Sequence, residues 1–479
     1  MAPNINKINT DLLVIGAGIA GFTAALKALE RYPGLHVTMI TNRSGPSGSS
    51  FANANRALGI QICFSHEEKD TFVKDAISIA GPGTIIPELV GALVEKSPSA
   101  YEDLKRWGAI FRKKPDGGEL RIPGCFSPNS LRAFILEDIA PLYHALHRRF
   151  IKLGGTCRSC LKVRELIVNR LHSTPKIAGV WAVNEKNNAL VLVSARAVIV
   201  ALGGTAPLFR HHISEAGTTG IAPALFHHAR AALINLPYHQ FLWYTYPERD
   251  FFKVHTLAEK GGRMVKISGE LSPIPSYLHP MARSRSTHAP IAYGLKDAAI
   301  DHFVMDHLTE EGWVEVVTPD GKGQRIIPLA HAGNGGARID HNGMTTVQGL
   351  YACGECAGGM HVANRIGGAM ILSAMVFGGN AGQHAADSIH AQPAACVRHE
   401  TDTLALTKDV TGLDALDLEK ERKWVGRNLH RALLPGRQIT TSDFRDALAQ
   451  KLETITDFQL KQLYESAKLL VFTRSSRLT

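Results

Sequence analysis

"DLLVIGAGIAGFTAAL", residues 11–26, starts as an apolar run of strand type and changes at its glycines into a helical pattern that continues to about Arg31. A second strand, "HVTMI", follows at 36–40. Strand, tight turn, helix and strand in that order make a βαβ unit. Gly16, Gly18 and Gly21 give G-x-G-x-x-G at the first strand-to-helix turn. In such a turn the first glycine makes the bend, the second lets a pyrophosphate approach the backbone, and the third packs helix against strand. The helix N-terminus adds a favourable dipole and free N–H groups. With both strands and the helix in place, the motif reads as a dinucleotide site. The acid expected after the second strand is missing: Thr41 and Asn42 stand there. Their hydroxyl and amide still offer hydrogen bonds to a ribose, so the departure bears on which cofactor binds rather than on whether one does.

Two later strands also end in glycine. "AVIVAL", 197–202, runs into Gly203 and Gly204, and "GLYACGE", 349–355, closes on Gly-Glu. A chain that leaves and re-enters one dinucleotide domain in this way has the arrangement of FAD enzymes. Residues 85–113 and 130–153 read as amphipathic helices, and a further helix is expected from Met370 to Ile389. The stretch 236–328 is richer in aromatic residues and proline, with the turn "TPDGKG" near its end, as an inserted domain would be. After 391 the chain is charged and helical. The expected fold is α/β: a discontinuous FAD-binding Rossmann-like domain (1–235 and 329–390), an inserted α/β capping domain (236–328) and a short helical C-terminal region (391–479).

At 479 residues the chain exceeds one ordinary core, and 45% hydrophobic residues allow a large interior. A net charge of +10 permits anionic ligands. The basic residues are scattered, which argues against nucleic acid. Seven cysteines without a regular framework point to a reducing compartment. The pairs Cys157/Cys160 and Cys353/Cys356 have metal-ligand spacing, but the second lies inside a glycine motif, and both read better as small buried residues. No metal is expected. The N-terminal apolar run lacks a basic leader and a cleavage pattern, and no uninterrupted apolar window suits a membrane span. A cytoplasmic protein is expected.

"DLLVIGAGIAGFTAA", "VIVALGGTA" and "GLYACGECAGGMHVANRIGG" together resemble the flavoprotein family that includes L-aspartate oxidase, fumarate reductase and the succinate dehydrogenase flavoprotein subunit. The resemblance runs from about residue 11 to about 386. It implies an FAD-dependent oxidoreductase in which hydride passes between flavin N5 and a small carboxylate or amino acid. By position it implies that Gly16, Gly18 and Gly21 hold the pyrophosphate and that Glu355 binds the ribose or ribityl. Thr41, Asn42, Gly203, Gly204, Ile371 and Leu372 join the cofactor set. "SGSSFANANRALG", 47–59, would lie along the flavin, and its Ser49-Ser50-Phe51 offers no His for a covalent bond, so FAD is expected to be non-covalent.

For the substrate, the resemblance implies that His331 of "AHAGNGG" joins Arg365 in gripping a carboxylate, the guanidinium giving two parallel donors and a protonated or neutral imidazole a third. Gln240 and Thr256 match substrate-binding positions. Arg283 would move the proton, with Arg285 a near competitor. Leu242 stands where the family has a substrate-binding His, and Ala369-Met370 where it has Asn-Ser. One carboxylate clamp is kept and the other end of the pocket is altered, which favours a larger or more apolar carboxylate over a simple C4 dicarboxylate.

Each of these residues also has an ordinary reading. Arg365 could bond nearby carbonyls, although an unpaired buried guanidinium costs several kcal/mol. Arg132, in "SPNSLRAF", falls where aspartate oxidase has a Ser-His-Arg-Arg run, which by resemblance offers it a site role, or it is structural; His361 reads as structural or flavin-adjacent. His211-His212 and His227-His228 are adjacent pairs that read as surface or core histidines rather than metal ligands. Two other functions stay open: an FAD subunit that only passes electrons to a partner protein, and a tRNA-modifying flavoprotein.

Overall fold

The structure is a computed structural model that describes residues 5–53, 57–170, 174–215, 217–259, 262–265, 269–392, 415–435, 442–455 and 457–475. Strand β1 (Asn6–Ile15) is followed by helix α1 (Ile19–Arg31) and strand β2 (Val37–Ile40). The last four residues of β1 and all of β2 are buried. They form the middle of the parallel part of a mixed sheet covered on both faces, which explains why they are apolar apart from Thr38. The sheet continues with β3 (Thr156–Arg158), β4 (Leu161–Asn169), β5 (Lys176–Asn184) and β6 (Leu190–Val200), in the order β3-β2-β1-β6-β5-β4. β6 lies parallel to β1 along nine register pairs, so the glycines after both strands emerge at one edge. The late strand Leu350–Ala352 also pairs parallel with the end of β6 at Val198–Val200. Three strand ends, at Ile15, Val200 and Ala352, are thereby brought side by side.

A second, mostly antiparallel sheet is built from β7 (His239–Thr245), β8 (Arg263–Val265), β9 (Leu271–Pro273), β10 (Val314–Val317) and β11 (Gly323–Gly333), in the order β7-β11-β10-β8-β9. The turn at "TPDGKG" joins β10 to β11, and β11 runs on through residue 333 back towards the first sheet. The core of this unit includes Phe241, Trp243, Leu257, Val304 and Val316, and it is shared with Val425, Leu429, Leu433, Phe444 and Leu463 of the C-terminal helices. Helix α2 (Ala369–His390) packs along α1, where Gly378 and Gly382 allow backbone approach: a Cβ on Gly382 would collide with the Ala24 carbonyl.

The helical reading of 130–153 needs correction. Residues Ser127–Glu137 form a strand, and the helix spans only Ile139–Lys152. The apolar spacing of Ala133, Phe134 and Leu136 suits either period. Pairing with three partner strands, at Leu58–Gln61, Ile110–Phe111 and Arg121–Gly124, decides it. The helix expected over 85–113 ends at Arg106. Of the C-terminal region, 393–414 and 436–441 lie outside the described residues, and the rest is helical over Ala415–Leu433, Ser442–Thr454 and Phe458–Ser475.

Candidate active site

The three strand ends open on a cavity of about 500 Å³. At one end lie Gly16, Gly18, Ala20, Thr41, Asn42, Lys162 and Val163. Gly16 has φ +109°, a left-handed conformation that favours glycine, and a Cβ there would collide with the Ala201 carbonyl. Gly21 does not line the cavity. Its missing Cβ lets α1 sit against the Gly16 carbonyl, which is the packing role expected of it. No side chain caps α1 through the residue before it, and no acid lies in its first turn. Its N–H groups and dipole therefore point at a cavity that suits a phosphate. Asn42 Nδ2 donates to the Gly217 carbonyl at 3.0 Å, and Ser50 Oγ accepts from the Ile19 N–H at 3.3 Å. Ser49 and Ser50 both line the cavity.

Glu355 lies on the cavity wall, and its Oε1 accepts from the Gly333 N–H at 2.9 Å. Burial raises its carboxyl pKa, while that N–H and the Arg365 charge oppose the rise. Gly203 lines the cavity but Gly204 does not: Gly204 instead leaves the space that the Glu355 carboxylate fills. Ile371 faces the cavity, whereas Leu372 points into the main core and is fully buried.

At the other end the wall is made by Gln240, Leu242, Tyr244, Pro290, His331 and Arg365. Arg365 is 6% exposed, and its Nη2 donates to Gln240 Oε1. Gln240 Nε2 in turn donates to the Arg365 carbonyl at 3.1 Å, so the pair is fastened in both directions. The Nε of Arg365 is buried with no hydrogen-bond partner among the described residues. Burial lowers its pKa to about 10 against the opposing pull of Glu355, so the guanidinium stays charged at neutral pH. His331 is the exposed residue between buried neighbours on β11 and lines the cavity. Its surroundings, and then the Arg365 charge, lower its pKa to about 4. Of the two protonation states left open by the sequence, the neutral one prevails.

Four sequence-derived site residues fall elsewhere. Arg283 is exposed on a helical turn, His279–Ser284, and is not part of the cavity wall. Arg285 is buried in an ion pair with Asp301, Nε to Oδ2 at 2.8 Å, and also donates to the Ala289 carbonyl. With His288 as a third partner, these bonds saturate it in a structural role. Thr256 donates to the Lys253 carbonyl at 2.8 Å, away from the cavity. Arg132 is spent on Asp75, at 2.7 Å, and Ser127. His361 is buried beside the Arg365 loop, but it does not line the main cavity. Arg249, Tyr244 and Cys125 line the cavity without having been singled out. For Tyr244 a signal existed, because alternation along "HQFLWYT" puts it on the face of Gln240 and Leu242. Among the described residues no group of three or more His, Cys, Asp or Glu could hold a metal.

The family model for an FAD binding domain matches residues 11–272 and 294–371. The chain belongs to this FAD-binding family. FAD is the cofactor of this flavoprotein, and the protein is an FAD-dependent oxidoreductase. The cavity fits that group, with a helix N-terminus free of acids at glycine turns for a pyrophosphate and a buried carboxylate part-way along for hydroxyl groups. The flavoprotein is 25% identical over 439 residues to a fumarate reductase flavoprotein subunit of a Serratia species, covering 81% of this chain and 70% of that protein. It is 27% identical over 414 residues to an L-aspartate oxidase of Mycobacterium leprae, covering 79% and 75%. In fold it is similar to E. coli quinol fumarate reductase FrdA, with a TM-score of 0.69 at 18% identity over 99% of this chain and 90% of that one. The Mycobacterium smegmatis Sdh1 complex gives a TM-score of 0.71 at 18% identity, covering 99% and 88%. No helix among the described residues is long and apolar enough to cross a membrane.

Proposed function

We propose that the flavoprotein oxidises or reduces a carboxylic acid or amino acid whose carboxylate is held by Arg365 and His331, with FAD bound non-covalently. The observation that carries this reading is the Arg365 guanidinium, buried, charged, fastened by Gln240 and lacking a partner at Nε beside the cavity. A carboxylate arriving there gains charge-assisted hydrogen bonds in surroundings where water does not compete. FAD, when bound, supplies two-electron hydride chemistry.

The remaining work belongs to the chain. Gln240 holds the guanidinium in one orientation and so sets where the substrate carboxylate lies. Neutral His331 offers one ring nitrogen as a hydrogen-bond acceptor, and it is placed to take a proton from the substrate or return one. A bound carboxylate beside it raises its proton affinity, because a negative charge favours the imidazolium. Leu242, Pro290 and Met370 give the wall an apolar character that favours a substrate with an apolar body. The working compartment of this reading is the cytoplasm, and the electron acceptor is a small molecule or a partner protein.

The test is anaerobic bleaching of the bound flavin against a panel of amino acids and carboxylic acids, run beside Arg365→Ala. At least one carboxylate should bleach the flavin, and the variant should lose about a hundredfold or more in the apparent affinity for it, as expected for a buried charged pair. Unchanged reduction kinetics in Arg365→Ala would remove that residue from the site. Reduction by a partner protein but by no carboxylate would favour an electron-passing subunit.

A further inference from the structure

β7 sets a row of side chains along the cavity wall at every second residue: Gln240, Leu242, Tyr244. Gln240 is fastened to Arg365, so the row runs outward from the carboxylate end. Beyond Thr245 the chain turns sharply. The Thr245 N–H donates to the Asp250 carbonyl at 2.8 Å, the Arg249 N–H to the Thr245 carbonyl at 3.0 Å, and the Asp250 N–H to Thr245 Oγ1 at 3.1 Å. A bridge between Tyr244 and Phe251 closes the turn. This small loop brings Arg249 over the same cavity, where it is part of the wall.

Arg249 has φ +65°, a left-handed backbone conformation that is uncommon for a long side chain. Such conformations persist where surrounding hydrogen bonds hold them, and they gather at functional sites. The side chain of Arg249 is exposed at the cavity wall and has no hydrogen bond or ion pair among the described residues, so it is held by water alone until an anion arrives. The carboxylates on the cavity wall are Glu355, which serves Gly333, and Glu215, which forms no ion pair with Arg249. The cavity thus has two guanidinium groups on its substrate side, one deep and one at the tip of the turn, with Leu242 and Tyr244 between them.

We infer that Arg249 is a second anion anchor, and that the substrate is an elongated molecule with a carboxylate at the Arg365 end, an apolar body and a further anionic group, carboxylate or phosphate, at the Arg249 end. From Gln240 to Tyr244 a strand advances about 14 Å, at roughly 3.4 Å per residue. The two arginine side chains shorten that span, and Leu242 and Tyr244 fill the wall between them, so the length of the guest is what the probe series reads. Leu242, one step along the row from Gln240, offers no polar partner for an anion held close to the first. This inference rests on the reading that Arg365 binds a carboxylate.

The test measures dissociation constants by perturbation of the bound flavin's absorbance. The probes are straight-chain monoacids, the α,ω-diacids of matched length, and ω-phosphorylated acids of the same series. In the unaltered protein a long two-anion probe should bind about tenfold or more tighter than its monoacid, the worth of one charged hydrogen bond. That ratio should fall near one in Arg249→Gln and persist in Arg283→Gln, whose side chain lies outside the cavity. The better of the diacid and the phosphate identifies the second group. A ratio of one in the unaltered protein, an unchanged ratio in Arg249→Gln, or tightest binding by the shortest diacid would overturn the inference while leaving the Arg365 reading intact. Loss of flavin from Arg249→Gln would place Arg249 on the cofactor and also overturn it. If no probe of any length perturbs the flavin, the Arg365 reading fails and the second anchor fails with it.

Discussion

Gly204 and Glu355 compete for one volume: a Cβ on Gly204 would sit on the Glu355 carboxylate, so the acid reaches its position only because residue 204 has no side chain. The two residues lie 151 positions apart in the chain. Gly204→Ala should therefore displace a cofactor-side group without touching the cofactor's other contacts. The expected result is an FAD dissociation constant raised at least about tenfold, with an overpacking cost of about 1–3 kcal/mol in the apoprotein. Flavin titration and apoprotein melting measure the two parts separately.

Removing the partner of the buried guanidinium should affect the substrate more than the fold. Gln240→Leu leaves Arg365 without its side-chain acceptor and releases its orientation. Substrate affinity should drop by about ten- to a hundredfold, the range for a hydrogen bond to a charged group. FAD content should stay the same. A loss confined to FAD binding would contradict the placement of Gln240 at the substrate end.

The pH dependence of kcat/KM follows from two groups. His331 must be neutral to accept a proton, and its pKa is lowered to about 4, so catalytic competence rises with pH through that value. Arg365 must be charged, and its pKa is lowered to about 10, so competence falls as pH rises through that value. The free enzyme should show a plateau bounded by about 4 and about 10 in a profile of kcat/KM, which reports the free enzyme. His331→Gln should remove the acid limb. An unaltered acid limb in that variant would exclude His331.

The buried pair Arg285–Asp301 should carry stability rather than catalysis. Asp301 also accepts from Trp243 Nε1 at 2.8 Å, tying β7 to helix Ala298–Met305. Arg285→Met leaves Asp301 buried and uncompensated, which should cost about 3–5 kcal/mol in unfolding experiments. Arg283→Gln, on an exposed surface, should change stability by less than about 0.5 kcal/mol and leave kcat unchanged.

The FAD domain was legible because its decisive signals are local. Gly16, Gly18 and Gly21 sit within six residues of one another, and the four residues before them, Leu12 to Ile15, are apolar without interruption. Arg365 and His331 stood out for a similar reason, each embedded in a short motif. Arg283 and Arg285 could not be separated from sequence, since the choice depends on Asp301, sixteen residues onward, and on which face of a short helix meets the core. Arg132 was equally undecidable without Asp75. Residues 130–137 were misread because a strand is defined by its neighbours, and those neighbours come from three separate parts of the chain. Arg249 was invisible because nothing within the turn itself says that it folds back over a cavity.

The apolar cluster that unites Trp243, Phe241 and Leu257 with Val425, Leu429, Leu433 and Leu463 has a practical consequence. The tail acts as a buttress for the cap, so stopping the chain at residue 391 would not yield a trimmed working enzyme. It would strip the outer wall from the chamber's roof and leave a greasy face seeking any neighbour. Anyone shortening this polypeptide for expression or crystallisation should keep the helices Ala415–Leu433, Ser442–Thr454 and Phe458–Ser475.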